Sequence, residues 1–205
     1  TMVLATLMAV TQSDIKRMLA YSSVSHVGFA LVGAITLTDD GVSATLFYIA
    51  AYGFAAFGGF ALLAVVRGPE GREETALASW AGLGRRQPVV GVLMSLFLLS
   101  FAGIPLTSGF IGKFVVFAAA GGGPAGGAWA LVIVGVLCSA IAAYFYVRVI
   151  VSMFFAPSPD DAPAVLVPSP LTTVPIAVCA AVTAFLGFFP QPLLDLADAA
   201  AVFLH

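Results

Sequence analysis

From Pro88 to Ala120 the chain carries one charged side chain, Lys113. An unbroken helix over that run would be about 50 Å long, against a hydrocarbon layer of about 30 Å. Gly103, Pro105, Thr107, Ser108, Gly109 and Gly112 cluster near its middle. Proline removes a backbone donor and clashes with the preceding turn. The run is therefore expected to be a broken helix, interrupted between about Gly103 and Gly109. Irregular backbone at membrane depth is tolerated only against protein or water, so the break should be shielded from lipid by neighbouring helices.

The rest of the chain has the same character. Hydrophobic residues make up 61% and charged residues 9%, a balance that places the chain in the lipid bilayer. The fold class expected is all-α: a polytopic transmembrane protein with about six membrane elements, one of them broken. Residues 1–205 form one membrane domain, with a partial helix over 1–11 and spans over 19–36, 43–66, 88–120, 128–155 and 165–189. TMVLATLMAV is too short to span, and no signal-peptide pattern opens the chain. It is either an interfacial stub or the end of a helix begun upstream; we expect the second, in the C-terminal part of a longer membrane protein.

Lysine and arginine alternate across the loops. Lys16 and Arg17 lie in the first turn; Arg67, Arg72, Arg85 and Arg86 lie in the third loop; Arg148 lies toward the fifth. The loops at Asp39–Asp40 and at GGGPAGGA have none. The positive-inside rule puts SDIKR, Gly68–Gln87 and PSPDDAP in the cytoplasm, with Asp39–Asp40, the glycine loop and the C-terminus outside. Within Gly68–Gln87, EETALASWAGL reads either as a short amphipathic interfacial helix or as a polar connector. Asp14 and Lys16 are expected to be solvated.

Lys113 is the leading functional candidate. An ammonium in hydrocarbon costs at least about 2.5–3.5 kcal/mol, and such residues mark ion or proton routes. Apolar residues continue on both sides, which disfavours snorkelling. The lysine is expected in the first turn of the second half-helix. Burial and the positive helix end there both disfavour the charge, as suits a group that takes up and releases a proton. Free carbonyls ending the first half-helix are available to hold the protonated form.

His26 is the second candidate. It shares a helical face with Ser22, Ser25 and Phe29 in AYSSVSHVGF. It reads equally as a proton relay or as a neutral histidine bonded to a neighbouring helix. Tyr48 and Tyr52 lie one turn apart, followed by Ala55, Ala56 and Gly59. Helix packing is the simpler role for that face, and ordering water the alternative. Arg148 either meets an acid of another subunit or snorkels; snorkelling is favoured. Ser25, Thr107 and Tyr52 complete the candidate proton path. Cys138 and Cys179 read as buried apolar residues, and no metal or cofactor motif is present. A net charge of −2 without a basic patch argues against nucleic acid.

Four stretches occur in order: TQSDIKRMLAYSSVSHVGF, FYIAAYGFAAFGGFALL, LLSFAGIPLTSGFIGKF and SAIAAYFYVRVIVSMFF. Together they resemble the C-terminal portion of the antiporter-like membrane subunits of respiratory complex I, over essentially the whole chain. FYIAAYGFAAFGGF lacks the histidine of the L and M branches, and Lys113 stands where the M branch has glutamate. Both features resemble the N branch of bacterial NADH:quinone oxidoreductase, although SSVSHVGF is shared with the M branch.

The resemblance implies the second half of an inverted-repeat, antiporter-like fold. It implies a proton-translocating, non-redox subunit of that quinone-reducing enzyme, in the bacterial inner membrane among other complex I membrane subunits. By the resemblance Lys113 matches the lysine of the second broken helix, part of the family's central polar axis, and it is the residue expected to carry the proton; the first-repeat glutamate and lysines have no counterpart here. A multi-subunit cation/proton antiporter or a membrane scaffold remain the alternatives.

Overall fold

The computed structural model describes residues 1–68, 71–122, 128–159, 163–165 and 170–202. The centre of GGGPAGGA and the two aspartates of PSPDDAP lie outside the described residues.

Helix α1 (Met2–Val10) runs into α2 (Ile15–Ala34) through a tight polar turn. Asp14 caps α2, its Oδ1 accepting from the Arg17 amide at 2.8 Å. The same carboxylate accepts from Thr75 Oγ1 at 2.6 Å. Lys16 bonds Glu73, and that ammonium holds the Glu73 carboxyl below its usual range. Asp14 and Lys16 therefore stitch two loops together rather than standing free in solvent.

Helix α3 (Asp39–Leu63) is capped by Thr38, with Asp39 and Asp40 in its first turn. Carboxylates there suit the positive end of the helix dipole. α3 is the hub, packing against α2 and against α5 (Pro88–Ala102), α6 (Ser108–Gly121), α8 (Pro170–Phe188) and α9 (Gln191–Val202). α7 (Trp129–Phe155) closes the other side of α5 and α1. By length and composition α3, α7 and α8 are long and apolar enough to cross a membrane; α5 and α6 are shorter apolar helices.

Several sequence expectations shift. The helix over Leu19–Thr36 begins earlier, at Ile15, because Asp14 supplies a cap. Val66 and Val165, assigned above to spans, pair instead in a two-stranded antiparallel ribbon, β1 (Val66–Arg67) with β2 (Ala164–Val165). EETALASWAGL is not one amphipathic helix. It makes a 3-10 turn at Leu77–Trp80, followed by α4 (Leu83–Arg86). Trp80 is fully buried and donates Nε1–H to the Glu74 carbonyl at 2.7 Å, while Leu77 N–H meets the Ser13 carbonyl at 2.8 Å. The loop is a packed plate rather than a membrane-surface helix, since its tryptophan faces protein. Arg148 is half-buried and donates to the Gln12 carbonyl at 2.9 Å, so it is held inside the fold instead of snorkelling. The tail with Asp195 and Asp198 forms α9, whose Ala197 packs with Phe47 and Ala51, while Asp198 accepts from Ser43.

The broken helix is present: α5 stops at Ala102 and α6 starts at Ser108. Gly103 adopts φ +78°, and Leu106 takes φ +73°, rare for a side-chain-bearing residue. Gly187 of α8 lies so close that a Cβ there would stand 2.3 Å from the Leu106 carbonyl oxygen. The shielding is one-sided, however. Ile104, Pro105 and Leu106 present exposed side chains on the far side of the break, where the described helices do not cover them.

Candidate proton-transfer site

The break leaves a defined set of carbonyls to be satisfied. The last four carbonyls of a helix lack intrahelical partners. Here the Leu99 carbonyl accepts from the Gly103 and Ile104 amides, and the Ser100 carbonyl from the Gly103 amide. The Phe101 and Ala102 carbonyls are met by Lys113, whose Nζ donates to them at 2.8 and 3.0 Å. A third bond, 2.8 Å, runs from Nζ to Ser139 Oγ of α7. The Phe29 ring lies 5.0 Å from the ammonium, within cation–π range.

The direction of the lysine follows from helix geometry. Side chains lean toward the N-terminus of their helix, so a lysine on α6 reaches back across the break to the end of α5. α6 begins at Ser108, with Thr107 as its cap. Lys113 is therefore in the second turn, not the first, and beyond most of the reach of the helix dipole. Burial is the larger effect: only 6% of the residue is exposed.

Gly103 and Gly109 make this geometry possible. A Cβ at Gly103 would stand 2.9 Å from Lys113 Cδ, besides requiring positive φ. At Gly109 it would meet the Ser100 carbonyl oxygen at 1.8 Å. The half-helices touch backbone to backbone, and the Gly109 amide donates to Ser100 Oγ at 3.2 Å.

A second cluster lies beside the first. His26 Nδ1 pairs with the Tyr48 hydroxyl at 2.7 Å, and Nε2 makes a longer 3.4 Å contact with the Tyr146 hydroxyl. Tyr146 also bonds Ser22. The Tyr52 ring stacks on His26 with centroids 4.3 Å apart, and its hydroxyl donates to Ser23 at 2.7 Å. Phe101 joins the clusters: its carbonyl serves Lys113 while its ring packs on His26, Tyr52 and Tyr146. A small pocket beside His26 is lined by Tyr48, Tyr52, Ser100, Phe101 and Ser108 among others.

Of the residues read from the sequence, Lys113, His26 and Tyr52 thus come together. Tyr48 and Tyr52, read first as packing residues, use their hydroxyls as well as their rings. Ser25 turns to α1, bonding Thr6 at 2.8 Å. Thr107 caps α6 and donates to the Ile104 carbonyl at 2.7 Å, closing the break rather than reaching Lys113. Ser139 and Tyr146 were missed. Each is one polar group in an apolar helix, and only the Lys113 and His26 partners single them out. Among the described residues no group of three or more His, Cys, Asp or Glu side chains gathers as metal ligands would.

Hydrogen bonds to a charged group stabilise by about 1.5–3 kcal/mol each, and burying an ammonium costs several kcal/mol. Three such bonds are of the same order as the burial cost. The site can therefore hold a charge without a carboxylate and release a proton without first breaking an ion pair.

Residues 1–156 match the family model described as the NADH:quinone oxidoreductase/Mrp antiporter transmembrane family. Subunit N of NADH-quinone oxidoreductase from Mycobacterium tuberculosis (strain ATCC 25618 / H37Rv) is 57% identical over 208 residues, covering 100% of this chain and 39% of the relative. Its counterpart in Rhodococcus opacus is 59% identical over 205 residues, covering 100% of this chain and 37% of the relative. The chain thus spans about two fifths of the length of these relatives, in their C-terminal portion. Among solved structures, respiratory complex I from Thermus thermophilus with bound aureothin aligns over 95% of this chain and 42% of its own, with TM-score 0.76 and 27% identity. The Mrp complex from Dietzia sp. DQ12-45-1b aligns over 98% of this chain and 45% of its own, with TM-score 0.84 and 23% identity, a likeness of fold alone.

Proposed function

Because the chain belongs to the NADH:quinone oxidoreductase/Mrp antiporter transmembrane family, we propose that it is the proton-translocating C-terminal part of a subunit N of complex I. The reading assigns it no redox chemistry and no cofactor. Electrons pass from NADH to quinone elsewhere in the complex, and this chain moves protons in response, among the other membrane subunits.

One observation carries the reading. A buried lysine bridges the two halves of a broken helix, with acceptors from two helices and, among the described residues, no carboxylate bonded to its ammonium. In this proposal Lys113 is the proton carrier. His26, Tyr48, Tyr146 and Tyr52 form the polar path beside it, and Ser25 and Thr107 support the helices that carry them.

The test uses inverted membrane vesicles containing the complete complex. NADH oxidation by quinone should drive proton uptake that persists when sodium is removed. A strict sodium requirement would move the chain to the cation/proton antiporters; intact quinone reduction with no proton uptake would leave a scaffold.

We also propose a location in the bacterial inner membrane with the C-terminus outside, from the alternating Lys/Arg content of the loops. Asp40 and Arg85 are both exposed. Cysteine introduced at Asp40 should react with an impermeant thiol reagent added outside intact cells, and cysteine at Arg85 should not. The reverse pattern would overturn the orientation.

A further inference from the structure

We propose that Ser139 is the positioning residue of the Lys113 site, its hydroxyl holding Nζ whether or not the lysine carries its proton. The proposal rests on Lys113 being the proton carrier.

Among the described residues three groups hydrogen-bond to Nζ, and they differ in kind. The Phe101 and Ala102 carbonyls can only accept. They serve an ammonium well but offer nothing to the lone pair of a neutral amine. A serine hydroxyl both accepts and donates. Ser139 Oγ lies 2.8 Å from Nζ and 3.3 Å from the Ala102 carbonyl oxygen.

With Lys113 charged, the hydroxyl accepts from Nζ and sends its own proton to the Ala102 carbonyl. With Lys113 neutral, rotation about Cβ–Oγ turns that proton onto the amine lone pair, and no backbone needs to move. Ser139 belongs to α7, not to either half of the broken helix. The amine thus keeps one fixed partner while its bonds to the end of α5 loosen or tighten with its charge.

The test compares Ser139→Val with Ser139→Thr in the complete complex in inverted vesicles, with proton uptake normalised to assembled complex. The two side chains have nearly the same shape and differ in the hydroxyl. Valine should lower uptake roughly tenfold, the scale of one hydrogen bond to a charged group. Threonine should retain it within about twofold. Ser139→Ala, which cannot overpack, should fall with valine.

Three results would overturn the proposal. One is normal uptake in assembled Ser139→Val or Ser139→Ala. Another is equal impairment of valine and threonine, which would point to packing. The third is assembly that fails for both valine and alanine but survives with threonine, which would make the hydroxyl a folding element. Lys113→Ala run alongside separates the two levels. Normal uptake there removes the underlying reading, whereas loss there with normal Ser139→Val removes only the serine's role.

Discussion

Lys113→Ala in the complete complex is expected to cut proton uptake, and the quinone-dependent NADH oxidation coupled to it, by roughly a hundredfold, the lower end of what a positioned proton-transfer group contributes. The complex should still assemble. Alanine leaves the Phe101 and Ala102 carbonyls without the ammonium, at about 1–3 kcal/mol for each unsatisfied group. Removing a buried ammonium relieves a penalty of several kcal/mol. Ser139 remains to serve the Ala102 carbonyl. The terms roughly offset.

Lys113→Arg should also fail, for two reasons. Guanidinium does not release its proton at accessible pH. The space beside the lysine stem is filled, since even a Cβ on Gly103 would meet Cδ at 2.9 Å. If the lysine only stapled the half-helices together, arginine would keep activity and alanine would lose assembly. The measurement is NADH oxidation and proton uptake in vesicles, normalised to assembled complex. Normal pumping by an assembled Lys113→Ala complex would end the assignment.

Gly109→Ala should be among the most damaging small substitutions at the described residues. The added methyl would lie 1.8 Å from the Ser100 carbonyl oxygen and 2.7 Å from its carbon. Both atoms are backbone and cannot swing aside as a side-chain tip can, so α6 must move away from α5. Overpacking of this kind costs about 1–3 kcal/mol and occasionally more. It also pulls Lys113 from the Phe101 and Ala102 carbonyls. The expected result is little assembled complex on native gels, and low activity in what remains. Gly53→Ala is the control: a Cβ there meets nothing within 4 Å, and alanine favours the helix by about 0.5–1 kcal/mol. Wild-type assembly and activity in Gly109→Ala would show that the half-helices do not depend on that contact.

The broken helix was legible because its signals are local. The excess length of Pro88–Ala120, Pro105 and the glycines act on the backbone within a few residues of themselves. Lys113 stood out for the same reason: the cost of a charge in hydrocarbon does not depend on knowing the neighbours. Even the carbonyls that hold it could be anticipated, since any helix that stops leaves them open. The second half-helix starts at Ser108, just inside the break expected to reach Gly109, because Thr107 caps it, and Lys113 therefore lies in the second turn rather than the first.

Other features needed the assembled fold. Tyr48 and Tyr52 show the spacing of a packing face, and the same spacing serves hydroxyls aimed at His26 and Ser23. Only the position of α2 distinguishes these roles. Arg148 looked free to snorkel until the α1–α2 turn brought the Gln12 carbonyl within reach. Val66 and Val165 are apolar enough for spans, and pair as strands because their loops meet. The sequence by itself determined a membrane-embedded helical chain, its broken helix and the lysine beside the break, because hydropathy, helix length and backbone stereochemistry are properties of contiguous residues. Only the tertiary structure decided that Ser139 and Tyr146 complete the site, because hydrogen bonds between helices depend on helix rotation and approach, which one chain segment does not encode.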